Sequence, residues 1–246
     1  FSQLVYDELG LRTDNGLSTF QIQPRVQITW DFNDKHTDIL RIGGGIFASD
    51  INNYAMINNM VFDGTKVMSV DIKNTEEEPD IVPTPDFIGY RKDPSTAPGI
   101  DLLNNPKYAD KAVPTINMNS KDAKVPVVYK ANISYTHFFS DRLKMSVSGY
   151  MTLGRNNYMD IDRNMVDDPY FRLSAEGNRG IYVPASTIGK DGTLDWMEGR
   201  KSTKVGRVLE LVSEGKVNQF AFTVDGTWRY YKDGELSFSY TWNDTK

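Results

Sequence analysis

Phe20-Gln-Ile-Gln-Pro-Arg-Val-Gln-Ile-Thr-Trp30 puts Phe20, Ile22, Pro24, Val26, Ile28 and Trp30 on one parity, and Gln21, Gln23, Arg25, Gln27 and Thr29 on the other. Side chains of a strand alternate between faces, so the stretch predicts an apolar face backed by a polar one. Ordinary sheet strands hold such a pattern for about five or six residues. Here it lasts eleven, and a tilted strand needs roughly nine to eleven to cross a bilayer. An aromatic stands at each end of the apolar face, where a membrane strand carries its interfacial girdle. The stretch reads as a wall. Pro24 would break a ladder bond there, which implies a bulge or locally open pairing.

The same beat recurs outward. A tight polar turn, Phe32-Asn-Asp-Lys-His-Thr37, leads into 38–48, where Leu40, Ile42, Gly44, Ile46 and Ala48 oppose Arg41, Gly43, Gly45 and Phe47. Alternation returns at 127–136, at 143–153 after Phe138-Phe-Ser-Asp-Arg142, and again at 219–230 and 236–243. Strands are expected at 17–31, 38–48, 126–139, 142–154, 205–213, 217–231 and 235–243. Ser213-Glu-Gly-Lys216 reads as a turn, and so does Lys232-Asp-Gly234, because Asp-Gly readily takes positive φ. Residues 1–16 suit the end of a preceding loop, 49–60 a short helix or irregular segment, and 66–72 a local hairpin. Large loops fill 49–125 and 155–204. Connections of that length count against a compact soluble domain, whereas outer-membrane barrels alternate short turns with long extracellular loops. The expected fold is all-β: long antiparallel strands forming one partial transmembrane β-barrel domain over 1–246, with large extracellular loops.

Composition bounds the function. The chain has 246 residues, a net charge of −5 and no cysteine, with a pI near 5.2 and a mean hydropathy of −0.49. No basic stripe is present to neutralise phosphates, which argues against nucleic acid as a partner. Thiol chemistry and disulfides are absent. No apolar run of about 18 residues offers a spanning helix, which leaves a barrel open because its strands are only half apolar. The chain begins at Phe1 and stops just after an alternating run, so both ends read as cuts from a longer polypeptide.

Candidate chemistry is sparse. Gly43-Gly44-Gly45 lacks a following Gly-Lys-Ser/Thr and lies inside a strand pattern, where glycines permit close packing or a bend. Asp160-Ile-Asp-Arg-Asn164 opens like a calcium loop, but Met165 and Phe171 stand where Gly and Glu are needed. An irregular calcium site on Asp160, Asp162 or Asp168 is the remaining metal candidate. Glu76-Glu-Glu-Pro-Asp80 reads as a solvated loop face. His36 and His137 fall at turn ends without a nearby carboxylate cluster, a poor metal site. No nucleophile elbow, HExxH helix or working carboxylate pair appears, so neither enzyme activity nor a cofactor is expected. Aromatics on the apolar faces, Trp30, Tyr129, Tyr135, Trp228, Tyr230, Tyr240 and Trp242, fill interface belts or a core. Loop aromatics are the ligand-contact candidates: Tyr54, Tyr90, Tyr158, Tyr170 and Trp196, with Phe87 and Tyr108 beside them. Packing within a large ordered loop is the competing reading for each.

Ile22-Gln-Pro-Arg-Val-Gln-Ile-Thr-Trp30, Leu40-Arg-Ile-Gly-Gly-Gly-Ile-Phe47, the strands at 127–153 and Asn218 to Trp242 with its Lys232-Asp-Gly turn resemble the barrel of TonB-dependent outer-membrane receptors. The resemblance is to the large kind carrying an N-terminal carboxypeptidase-regulatory-like domain; the two large loops match nothing. It implies a 22-stranded barrel closed by a plug, energised through TonB and located in the bacterial outer membrane. About seven long strands are visible here, with no plug, TonB box or terminal aromatic strand. An internal wall-and-loop fragment of a nutrient transporter is therefore expected. Its partners would be outer-membrane lipid, the plug and remaining barrel strands, the TonB complex through the missing N-terminal part, and a surface lipoprotein. Arg25, Arg41, Lys130, Lys144 and Arg229 would face the lumen or plug. The alternative is a soluble β-sandwich, a carbohydrate-binding or adhesin-like module with the apolar parity packed into its core. A third reading is a hydrolase using loop carboxylates.

Overall fold

A computed structural model describes residues 1–49, 53–69, 87–93, 112–232 and 234–246. Among these, three helices, α1 (Gln3–Leu9), α2 (Asn53–Val61) and α3 (Phe87–Lys92), accompany a fold dominated by strands. These are β1 (Arg25–Asp31), β2 (Asp38–Ala48), β3 (Asp63–Ser69), β4 (Val113–Asn119), β5 (Val127–Ser140), β6 (Leu143–Asp162), β7 (Phe171–Leu173), β8 (Arg179–Ile181), β9 (Val208–Arg229) and β10 (Glu235–Thr245). The fold is all-β in character, built on long antiparallel strands. Where the sequence reads as one domain, the chain divides into two compact units: Gly16–Asn52, Ser120–Met159 and Val212–Lys246 form one, and Phe1–Asn15, Asn53–Asn119 and Asp160–Leu211 the other. β6 and β9 supply residues to both.

The first unit is a long-strand sheet in the order β1-β2-β5-β6-β9-β10. β1–β2, β2–β5, β5–β6 and β9–β10 pair antiparallel. Beside β6, the Arg229 amide of β9 donates to the Arg142 carbonyl at 2.8 Å. Register carries the parity across the sheet: Ile28 lies opposite Ile42, Ile42 opposite Ile133, Ile133 opposite Gly149, and Val224 opposite Tyr240. Directly opposed residues of antiparallel strands point to the same face, so the apolar set is continuous over β1, β2, β5 and β6 and over β9 and β10, and between β6 and β9 a Cβ added to Gly226 would lie 3.4 Å from Met145 Cγ. The short turns 32–37 and 140–142 gather at one end of this sheet, together with the paired ends of β9 and β10 at Arg229 and Glu235.

Several boundaries differ from the sequence reading, for local reasons. The strand expected from 17 begins at Arg25, which leaves Pro24 outside it. The missing Pro24 amide therefore costs no ladder bond, and its carbonyl still accepts from the Ile46 amide at 3.0 Å. Ser213-Glu-Gly-Lys216, expected as a turn, is interior to the 22-residue β9. Ser213 Oγ accepts from the Lys124 amide and donates to the Lys124 carbonyl, at 2.8 and 2.9 Å. Gly215 lies against β6, where an added Cβ would sit 2.8 Å from the Asn157 carbonyl oxygen. Glycine here serves close approach of two strands. The β6 strand likewise runs on to Asp162 through the region expected to be loop, with Asn156 at φ 58. At 234, Gly234 keeps an ordinary φ and packs on the Tyr230 ring.

The second unit holds the best-buried core. Val5, Ile116, Met118, Val205 and Val208 form it, with Leu9 and Leu11 packed against them. β3 pairs antiparallel with β4, and β4 pairs parallel with residues 208–211 of β9. Residues 1–16, expected as loop, contain α1. Ser2 Oγ caps it by accepting from the Val5 amide, and Gly10 closes it at φ 68, the left-handed stop that glycine adopts without strain. Val5 and Leu9, four residues apart, turn to the core. β3 finds its partner in β4 rather than in a local hairpin; residues 70–72 and the acidic run 76–80 lie outside the described residues.

Glu8 ties this helix down, because Lys204 Nζ and Ser202 Oγ donate to its carboxylate at 2.6 and 2.7 Å. The Lys204 and then the Ser202 hydrogen bond hold Glu8 below its ordinary value of 4.5, while Glu8 raises Lys204 above 10.5. A depressed carboxylate contributes stability above its unfolded pKa and loses it as pH falls through the folded one; a raised lysine contributes below its unfolded pKa and loses it as pH rises through the folded one. Hydrogen exchange at the α1 amides should accordingly be slowest between about pH 5 and 10 once corrected for intrinsic rates. Protection that is flat across both limits would remove this pair from the account.

Candidate functional site

The long-strand sheet offers two faces of opposite chemistry. On one, Ile28 is 59% exposed, Ile133 52% and Tyr240 66%, so within the first unit no described residue covers it. Aromatics collect at the short-turn end: Trp30 lies 4.9 Å from Phe32, Phe32 6.3 Å from Tyr135, and Trp228 5.8 Å from Tyr230. A second set, Tyr129, Phe220, Phe222 and Trp242, stands toward the opposite end and is also exposed. From Phe220 to Tyr230 the chain advances about 33 Å at roughly 3.3 Å per residue. At a tilt of about 40° that is about 25 Å of height, the separation of the two aromatic girdles of a membrane barrel.

The other face carries Arg25, Arg41, Lys130, Lys144 and Arg229, and the register separates them into two groups. Arg25 and Lys130 both oppose Gly45. The Arg25 guanidinium sits 4.4 Å from the centre of the Phe47 ring and Lys130 Nζ 5.6 Å from it. Arg41 lies between Thr29 and Ser134 on the same three strands. Lys144 and Arg229 are at the short-turn end instead. There they line a cavity of about 120 Å³ with Arg142, Asp141, Ser140 and Thr227. Arg229 Nε is held by Glu235 at 3.2 Å.

The loop aromatics that the structure describes fall on several different elements. Tyr54 is exposed on α2 and Tyr170 is exposed before β7. Tyr158 belongs to β6, not to a loop, and its hydroxyl is buried without a hydrogen-bond partner among the described residues. Trp196 is half-buried in a short 3-10 turn, with the Arg200 guanidinium 5.0 Å from its ring. No ring contact among the described residues joins Tyr158, Tyr170 or Trp196. Tyr90 and Phe87 fall on α3 with side chains outside the described residues, as does all of Tyr108.

Of the acidic candidates Asp162 is engaged in structure, as are both histidines, while Asp160 and Asp168 are exposed. Asp162 pairs with Arg200 and accepts from the amides of Asn164 and Val208, both at 3.2 Å. It is a local organiser of the second unit, and among the described residues no three ligand side chains gather round a metal position. Each histidine, read as having no carboxylate cluster nearby, meets a single carboxylate: His36 pairs with Asp31, and His137 Nδ1 lies 2.6 Å from Asp38 Oδ1. Those carboxylates became neighbours through the turn and the β2–β5 register, which sequence spacing hides.

Asn164, read only as part of a calcium-like opening, has a structural role that the sequence hides. Fully buried, its Nδ2 donates to the carbonyls of Ser202, Val205 and Gly206 at 2.9, 2.8 and 2.8 Å, and its Oδ1 accepts from the Ser202 amide at 2.9 Å. The second unit also has a cavity of about 390 Å³ lined by Glu8, Leu9, Leu11, Arg163, Lys201 and Glu210. Its charges are already paired, Arg163 with Glu210, Lys201 with Asp167 and Glu8 with Lys204.

No protein-family model matches the chain, and no curated protein matches it. Among solved structures it is similar to the outer membrane transporter YddB from Escherichia coli, at 9% identity and a TM-score of 0.46 over 92% of this chain and 20% of that one. It is also similar to the siderophore receptor PirA from Pseudomonas aeruginosa, at 7% identity and a TM-score of 0.41 over 91% of this chain and 28% of that one. The chain thus spans between about a fifth and three tenths of the length of these two proteins.

Proposed function

We propose that this chain is a wall-and-loop segment of a TonB-dependent outer-membrane transporter for nutrient uptake, without catalytic activity. The observation that carries the proposal is the uncovered apolar face of the long-strand sheet, bounded above and below by aromatics. In water such a face is an aggregation hazard; against lipid it is the barrel exterior. The same exposure weighs against the soluble sandwich, whose apolar parity should be packed into a core.

On this reading the short turns face the periplasm and the long connections face outward, where they select substrate. The polar face lines the lumen or meets the plug, and Arg25, Arg41, Lys130, Lys144 and Arg229 supply its cations. The remaining strands, the plug, the TonB complex and a surface lipoprotein complete the assembly, in the outer membrane. The test uses the full-length protein with an epitope inserted after Lys190, in an exposed stretch of the second unit. It should fractionate with the outer membrane and be stained by antibody on intact cells. Recovery in the soluble fraction, or staining only after the outer membrane is opened, contradicts the proposal.

A further inference from the structure

We propose that Arg25 and Lys130, held on the Phe47 ring, form a binding site for a small soluble anion bearing carboxylate or phosphate. The inference rests on the barrel reading, which places this face in water. Two cations converge on one ring, Arg25 at 4.4 Å and Lys130 at 5.6 Å from its centre. Among the described residues neither forms an ion pair. The only polar partner of the Arg25 side chain there is Gln23 Oε1 at 3.4 Å. The described acidic residues that β1, β9 and β10 carry on this face are remote along the strands: Asp31 lies opposite Ile39 and is taken by His36, Asp225 lies opposite Ser239 on β10, and Glu235 is taken by Arg229. Among the described residues the positive charge is therefore left uncompensated. Like charges brought together repel, and an anion between them converts that cost into attraction.

The site is also held in place. Phe47 stands on β2, which is paired on both sides by β1 and β5. Gly45, between Arg25 and Lys130, has no Cβ; one placed there would meet Arg25 Cγ at 2.9 Å, so the arginine stem lies flat across β2. Gly43 gives the same room to Asn132, whose Oδ1 would be 2.7 Å from an added Cβ. This fixes an amide one register step from the cations. With one face of the guanidinium on the ring, its edge N–H groups remain free for bidentate recognition of carboxylate or phosphate, with Lys130 as a point charge beside them. A neutral ligand gains none of this. The glycine triplet thus serves the placement of Arg25 and Asn132 over β2.

The experiment titrates full-length protein in detergent with citrate, inorganic phosphate and, as the neutral control, glucose. Saturable citrate or phosphate binding that weakens with salt is expected, and none for glucose. Arg25→Gln and Lys130→Gln should each weaken it about tenfold, the scale of one charged hydrogen bond. Phe47→Leu, which keeps both charges, should weaken it less, and Lys190→Gln should leave it unchanged. Absence of saturable anion binding, or binding unaltered by the Arg25→Gln/Lys130→Gln double substitution, overturns the inference. A Gln27→Cys variant in lipid vesicles separates the two levels of argument. Labelling by a water-soluble maleimide without anion binding overturns this site alone. Protection of Gln27→Cys together with labelling of an Ile28→Cys variant overturns the membrane reading beneath it.

Discussion

Ile133→Arg should destabilise the protein in lipid by about 2–4 kcal/mol, the cost of an arginine near the midplane of a barrel's lipid face. Ile133 lies between Ile42 and Gly149 at the middle of the apolar face and is half exposed. The neighbouring Ser134→Arg, on the opposite parity, should change stability by no more than about 0.5 kcal/mol, as an ordinary solvated substitution does. Reversible urea unfolding from vesicles measures both. The contrast between adjacent residues is the informative quantity, because strand propensity and expression affect both variants alike. Equal effects at 133 and 134 would mean that the two faces meet the same solvent.

Asn164→Asp should cost about 3 kcal/mol or more, and it acts on the second unit alone. The side-chain shape is kept, but two N–H donors become a carboxylate facing the carbonyls of Ser202, Val205 and Gly206. Three buried acceptors lose their donor and meet a negative charge, and each unsatisfied buried group costs about 1–3 kcal/mol. Asn164→Ala removes the repulsion but still orphans those carbonyls and the Ser202 amide, so a smaller loss is expected. Limited proteolysis reads both, with cleavage in 160–207 preceding cleavage in the long strands. Wild-type resistance in the Asn164→Asp variant would show that this amide does not organise the unit.

The parity of β1, β2, β5, β6 and β10 was legible because a strand records its two faces with period two. Residues at that spacing, such as Val26, Ile28 and Trp30, need no knowledge of partners. What stayed hidden depends on partners distant in sequence. The α1 stretch reads as loop because its helix is two turns long and buries Val5 against Ile116, Val205 and Val208, more than a hundred residues away. Ser213-Glu-Gly-Lys216 carries turn residues, yet Gly215 is required by the approach of Asn157 and Ser213 by Lys124. The parallel pairing of β4 with β9 has no local signal at all. In the candidate site, the cations were visible as residues on the polar parity, but their convergence on Phe47 exists only in the register of three strands. Trp196 illustrates the converse, a conspicuous loop aromatic occupied by Arg200.

On the barrel reading, odd-numbered residues of β5 meet lipid and even-numbered residues meet water. A nitroxide scan through 129–135 in the full-length protein, reconstituted in vesicles, tests it most directly. Accessibility to oxygen should peak at 129, 131, 133 and 135, and accessibility to a water-soluble nickel chelate at 130, 132 and 134. A scan in which the odd positions report the nickel chelate as strongly as the even ones would contradict the account.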